Sequence, residues 1–175
     1  MLCFGVSAQN SPVGEYDDQD AYEIYSLLLP TEKSHGLANG TLVIQQETIT
    51  SVKLDDSCRK PQVASEFKDA REDYNRHNEP MHLQRKFNID KPYELVNTET
   101  IGALIKDDNW GDFYKRYVDS GRIIRVSAVG FNRQRTLAIV NTRTTPNLGP
   151  GSFSFVKKIE RKWKVVTGVV CFKAA

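Results

Sequence analysis

The sequence predicts an α+β domain, with N-terminal helices packed on a C-terminal antiparallel meander sheet of four to five strands. Three observations carry this reading. Apolar residues recur at three- and four-residue steps early in the chain, as in Ala21, Tyr25, Leu28 and Leu29 and again in Val63, Phe67, Ala70 and Tyr74. From Arg122 onward the pattern changes to runs rich in β-branched and aromatic residues, separated by short polar connections. The 175 residues are 39% hydrophobic, which suits one domain with a core of its own.

Taken in order, residues 17–29 form the first predicted helix, with acidic residues in its first turn and Pro30 as its stop. Residues 41–50 (TLVIQQETIT) follow Asn39-Gly40 and read as a strand. Pro61 opens a second helix to about His77, its charged residues facing water opposite the Val63–Tyr74 stripe. Residues 81–89 give no clear signal, and 93–96 suit a short strand. Asn97 or Thr98 caps a short helix through Ile105, and 109–117 reads as another that Asp119-Ser120-Gly121 closes. Residues 122–131, 135–142, 152–159 and 163–172 are then four successive strands. The first two are apolar on both faces, so they are expected at the centre of the sheet.

Charge is unevenly spread. Residues 1–112 hold 11 Lys/Arg against 20 Asp/Glu, whereas residues 113–175 hold 13 against 2, Asp119 and Glu160. Halves of opposite sign either compensate each other within the fold or leave one face free for an anionic partner. No apolar run approaches the roughly 18 residues of a spanning helix, so no membrane span is expected.

Residues 1–8 are apolar and small, and Val6-Ser7-Ala8 before Gln9 has the form that signal peptidase prefers. A basic leading region and a longer apolar stretch are missing. Residues 1–20 are therefore read as the remnant of a clipped signal and a lead-in, with an ordinary N-terminus as the alternative, and 21–175 as a single domain. Without Cys3, an oxidising compartment leaves Cys58 and Cys171 as a candidate disulfide, and in a cytosolic protein the three thiols carry no meaning. No Cys-x-x-Cys supports a zinc or redox site.

The segments Ala21-Tyr22-Glu23-Ile24-Tyr25-Ser26, Leu42 to Thr48, Pro92-Tyr93-Glu94-Leu95-Val96, Phe113 to Gly121 and Ser127-Ala128-Val129-Gly130-Phe131-Asn132 resemble a family of uncharacterised, exported bacterial proteins of unknown function. The resemblance covers most of residues 20–142. It implies a leader, a periplasmic or secreted location and the α+β fold, and it implies no activity. The Gly- and Cys-rich loop of that family is replaced here by residues 141–151, which contain no cysteine, so no thiol or metal role carries over to it.

Catalytic signatures are sparse. His35 lies in a loop, and His77 and His82 flank Glu79-Pro80 at a spacing that does not share a helix face, so a His77/Glu79/His82 site depends on the fold. No Gly-x-Ser-x-Gly elbow exists, and Gly149-Pro150-Gly151 is no phosphate cradle, because proline has no N–H to give. Asp107, Asp108, Asp112 and Asp119 around Trp110 fit caps and turns as well as a sugar- or metal-binding lip. Tyr114 and Tyr117 fit a core edge as well as a binding lip. No cofactor, metal or catalytic residue is assigned.

The basic meander is the most concrete candidate site: Arg133, Arg135 and Arg143 on its second hairpin, and Lys157, Lys158, Arg161, Lys162 and Lys164 on its last. The function expected is binding or scaffolding, with an anionic ligand or a protein as partner. A small extracytoplasmic hydrolase is the alternative. Nucleic-acid binding ranks third, because Phe153, Phe155 and Trp163 alternate as a core face does and leave no stacking platform.

Overall fold

The computed structural model describes residues 13–29, 40–50, 53–54, 65–76, 79–145 and 151–170. Helix α1 (Gln19–Leu28) starts two residues later than expected: Asp18 lies outside it as its cap and accepts a hydrogen bond from the Ala21 N–H. Strand β1 (Gly14–Glu15) precedes it, and β2 (Leu42–Gln45) is the central part of the expected 41–50 strand. The second predicted helix is observed as α2 (Lys68–Arg76), while positions 61–64, its expected start, lie outside the described residues. Residues 81–89, silent in the sequence, contribute only β3 (Met81–His82), which pairs in parallel with β1. Then follow β4 (Tyr93–Val96), α3 (Thr98–Leu104, capped by Asn97) and α4 (Gly111–Arg116).

The main sheet corrects the expected architecture. It has seven strands, not four to five, and it is mixed rather than an antiparallel meander. Its order is β4-β2-β5-β7-β8-β9, with β5 (Ile123–Val126), β7 (Leu137–Thr145), β8 (Ser152–Ile159) and β9 (Lys162–Val170). Strands β4 and β5 both lie parallel to β2, and β5 through β9 alternate in direction. Parallel neighbours need long crossovers: the chain runs from β2 to β4 through α2 and β3, and then from β4 past β2 to β5 through α3 and α4. Period alone does not distinguish a buried parallel strand from any other apolar run.

The expected 122–131 strand is also broken. Its continuation β6 (Gly130–Phe131) pairs with β7 after an interruption at residues 127–129. Side chains replace the lost ladder there: the Tyr25 hydroxyl donates to the Ser127 carbonyl at 2.7 Å, and the Val129 N–H donates to the Tyr16 hydroxyl at 3.0 Å. Tyr16 and Tyr25 are thereby held deep in the core, and burial pushes the Tyr16 hydroxyl up to about 12 and that of Tyr25 well above its ordinary value. The Glu160–Arg161 hairpin turn has positive φ at both residues, as a two-residue turn of the twist-matching kind requires.

Register fixes which side chains share a face. Ile123 opposes Thr145 and Arg125 opposes Arg143, so both members of β5 lie on the face of Leu137, Ile139, Asn141 and Arg143. The other face packs on α1 and on Leu83 and Phe87 in the largest core cluster. On the first face, Phe67 just before α2 and Ala70 and Tyr74 within it cover one end against Ile139, Phe153 and Phe155. Helices α3 and α4 cover the opposite end through Ile101, Phe113 and Tyr117 against Val43, Val96 and Ile123. Helix α2 comes close: a Cβ on Gly130 would fall 2.4 Å from Tyr74 backbone nitrogen, so that position requires glycine. Asp73 reinforces the approach by accepting the Phe131 N–H at 2.9 Å.

Candidate functional site

Between the two helical caps of this face lies a polar strip, formed where β5 and β7 pair. Arg125 and Arg143 stand directly opposite each other on it, and Asn141 lies two residues along from Arg143 on the same face. Like charges directly opposite on an antiparallel pair destabilise a sheet, so this placement requires compensation. Among the described residues neither guanidinium has a carboxylate partner. Burial, and then the charge of Arg143, hold the Arg125 guanidinium below its ordinary value.

The hydrogen-bond inventory singles out the same spot. Among the described residues three buried side-chain polar atoms have no partner: Arg125 Nε, Arg143 Nε and Asn141 Oδ1. All three sit on this strip. Asn141 is fully buried, and its Nδ2 donates to the Ser152 carbonyl at 3.3 Å, which leaves Oδ1 as the free acceptor. Gly151 comes down on the pair, since a Cβ there would fall 2.6 Å from Asn141 Nδ2 and 2.8 Å from Arg143 Cγ. Tyr74 of α2 borders the strip. Burial pushes its hydroxyl up to about 12, while the Ser127 hydroxyl and the charge of Arg143 pull the other way. Buried orphans are rare in folded proteins, and these three lie on one strip.

The remaining cations of the basic meander fall elsewhere. Arg135 donates from Nη2 to Asp18 at 2.6 Å and from Nε to Asp20 at 3.0 Å, and its guanidinium lies 4.0 Å over the Phe131 ring. Lys158 Nζ donates to Asp20 at 2.6 Å, and Trp163 Nε1 donates to the same oxygen at 3.2 Å. Lys157 pairs with Glu66 at 2.7 Å. The acidic and basic halves of the sequence thus meet in part across the fold. Arg133 joins Arg135 in a cleft of about 330 Å³ between α2 and the β6–β7 turn, opposite Asp69, Glu72 and Asp73. Arg161, Lys162 and Lys164 lie on the outer hairpin and are exposed. Of the sequence-predicted set, Arg143 alone belongs to the uncompensated strip, and Arg125, its partner there, was not among the candidates. The available signal was a single charge inside Ile123-Ile124-Arg125-Val126, a run otherwise fit for burial on both sides.

The other candidates are placed as follows. Cys58, Cys171, His35 and His77 lie outside the described residues. His82 Nε2 is 3.6 Å from Glu47 Oε1, and the second oxygen of Glu47 accepts from the N–H and hydroxyl of Thr98. No group of three or more His, Cys, Asp and Glu among the described residues is arranged to hold a metal. Trp110 packs on Phe113, Asp112 pairs with Lys115, and the Tyr117 hydroxyl donates to Glu94 at 2.9 Å. No helix among the described residues is long and apolar enough to cross a membrane.

Fold and strip together describe a domain built on a mixed sheet, with an arginine pair on one face that has no carboxylate partner among the described residues. Compared with protein-family models, curated proteins and solved structures, the chain gives no match.

Proposed function

We propose that this protein is an anion-binding module whose site is the Arg125–Arg143 pair, with Asn141 at its base. The observation that carries the reading is the coincidence of a cross-strand like-charge pair with all three orphaned buried polar atoms among the described residues. Charged groups are kept in an unfavourable setting when a ligand completes them, and sites of this kind trade stability for recognition. A guanidinium binds carboxylate and phosphate oxygens through a fixed fork of donors, which makes two of them a strong recognition element. An exported location, which rests on the resemblance noted above, would direct the search toward anions of the envelope or medium.

The test is a two-dimensional amide NMR titration with oxyanions against chloride at constant ionic strength. Saturable shifts are expected at residues 123–127 and 139–145, and the Arg125→Met/Arg143→Met double variant should abolish them. Absence of any saturable shift, or shifts that persist in the folded double variant, would remove the reading.

A further inference from the structure

We infer that the cleft between α2 and the β6–β7 turn is a second binding site, separate from the arginine strip, and that it takes a short peptide through its free ammonium and free carboxylate ends. The cleft has a volume of about 330 Å³, at the low end of the range of small-molecule sites. Its two walls come from different elements and are held at a fixed separation. Asp73 of α2 accepts the Phe131 N–H at 2.9 Å, and Gly130 lets the backbone of α2 approach β6, so neither wall withdraws. Arg135 lies over the Phe131 ring and gives its donors to Asp18 and Asp20. It is thereby kept from swinging across the cleft onto the carboxylates of α2. The floor is preformed, and a ligand does not have to order it.

Charge is sorted along the α2 wall. Asp69 and Glu72 line the cleft from the first half of the helix and Arg76 from its last residue, all three exposed. Seven residues separate Asp69 from Arg76, which is roughly 10 Å at the helical rise. Arg76 Nη1 is 3.8 Å from Asp73 Oδ1, beyond hydrogen-bond reach, so its donors remain open to a carboxylate. Arg133 adds an exposed guanidinium from the opposite wall. A cleft of one sign would call for a simple cation or anion. This one offers carboxylates to an ammonium at one end and a guanidinium fork to a carboxylate at the other. A single α-amino acid carries its two charges too close together to span roughly 10 Å, whereas an extended chain of about three residues, at roughly 3.4 Å each, reaches both.

Amide NMR titration of the full chain with trialanine tests the inference, beside its N-acetylated form, its C-terminal amide and free alanine. Trialanine is expected to give saturable shifts at residues 69–76 and 131–135. Blocking either end should weaken binding at least about threefold, the effect of one exposed ion pair, and free alanine should bind more weakly than trialanine by a similar factor. The Asp69→Asn/Glu72→Gln variant, changed at two exposed side chains, should no longer distinguish free from acetylated trialanine, and Arg76→Gln/Arg133→Gln should no longer distinguish the free peptide from its amide. No saturable shift with trialanine, or blocked peptides that bind as tightly as the free one, overturns the inference. Alanine binding as tightly as trialanine overturns the assignment to a peptide. The anion-binding reading is scored on residues 123–127 and 139–145, so either reading can fail while the other stands.

Discussion

Arg135 and Arg143 sit eight positions apart, the first in the turn before β7 and the second within it, and they live in opposite electrostatic settings. Arg135 gives its donors to Asp18 and Asp20 and covers Phe131 with its guanidinium plane. Arg143 faces a second arginine and has a buried nitrogen with no partner at all. The first setting ties the start of α1 to the β6–β7 turn and the last hairpin, so it serves cohesion. The second sets two like charges opposite each other, which works against the pairing of β5 and β7. The difference shows that a basic stretch of sequence is not one surface: the same residue type staples the fold just before a strand and stands opposite a like charge within it.

The largest break in this comparison should come from removing the shared acid. Asp20→Ala deprives Arg135, Lys158 and Trp163 of one acceptor together, and we expect a loss of about 2–3 kcal/mol in denaturant unfolding. The pH dependence sharpens it. Burial pushes the Asp20 carboxyl up, but hydrogen bonds from Lys158, Arg135 and Trp163 more than offset this and hold it below its ordinary value. A depressed folded value means stability present above the unfolded carboxyl range, near pH 4, and lost as pH falls through the folded value. The gap between wild type and Asp20→Asn should therefore be constant from about pH 5 to 7 and narrow below about pH 4. A gap that does not narrow would show that the carboxylate charge is not what holds the network.

A change at the other pole should have the opposite sign. Arg125→Met removes a half-buried like-charge contact, so the variant is expected to gain about 1 kcal/mol, or roughly 2–4 °C in Tm, in anion-free buffer. A lower Tm would mean that Arg125 is a structural element after all. The smallest effect belongs to Lys157→Ala: its pair with Glu66 is exposed on both sides and should be worth at most about 0.5 kcal/mol by the same unfolding measurement.

Much of the fold was legible because local chemistry set it. Asp18 and Asn97 cap helices where their residue types and neighbours indicate, and β4 and β8 match their predicted bounds. The apolar stripe ending in Phe67, Ala70 and Tyr74 buries as expected. What failed were statements about partners. β2 reads as an isolated strand in sequence, yet it becomes the centre of a parallel trio because β4 and β5 reach it over long crossovers. The break at Ser127–Val129 was invisible because its replacement hydrogen bonds come from Tyr16 and Tyr25, more than 100 residues earlier.

The candidate site divides along the same line. Arg143 was already visible as part of a basic meander, while Arg125 was hidden in an apolar strand. The sequence by itself determined the residue types: a surplus of C-terminal cations, an acidic first half, strands apolar enough to be buried, and Arg125 inside the apolar run of one of them. Only the tertiary structure decided which cations are neutralised. Asp20 meets Lys158 across 138 residues, and Arg125 meets Arg143 through strand register. A one-residue slip would send Arg125 to the opposite face, because side chains alternate along a strand. Charge composition is a property of the chain, whereas charge compensation depends on distance, and distance between remote residues exists only in the folded state.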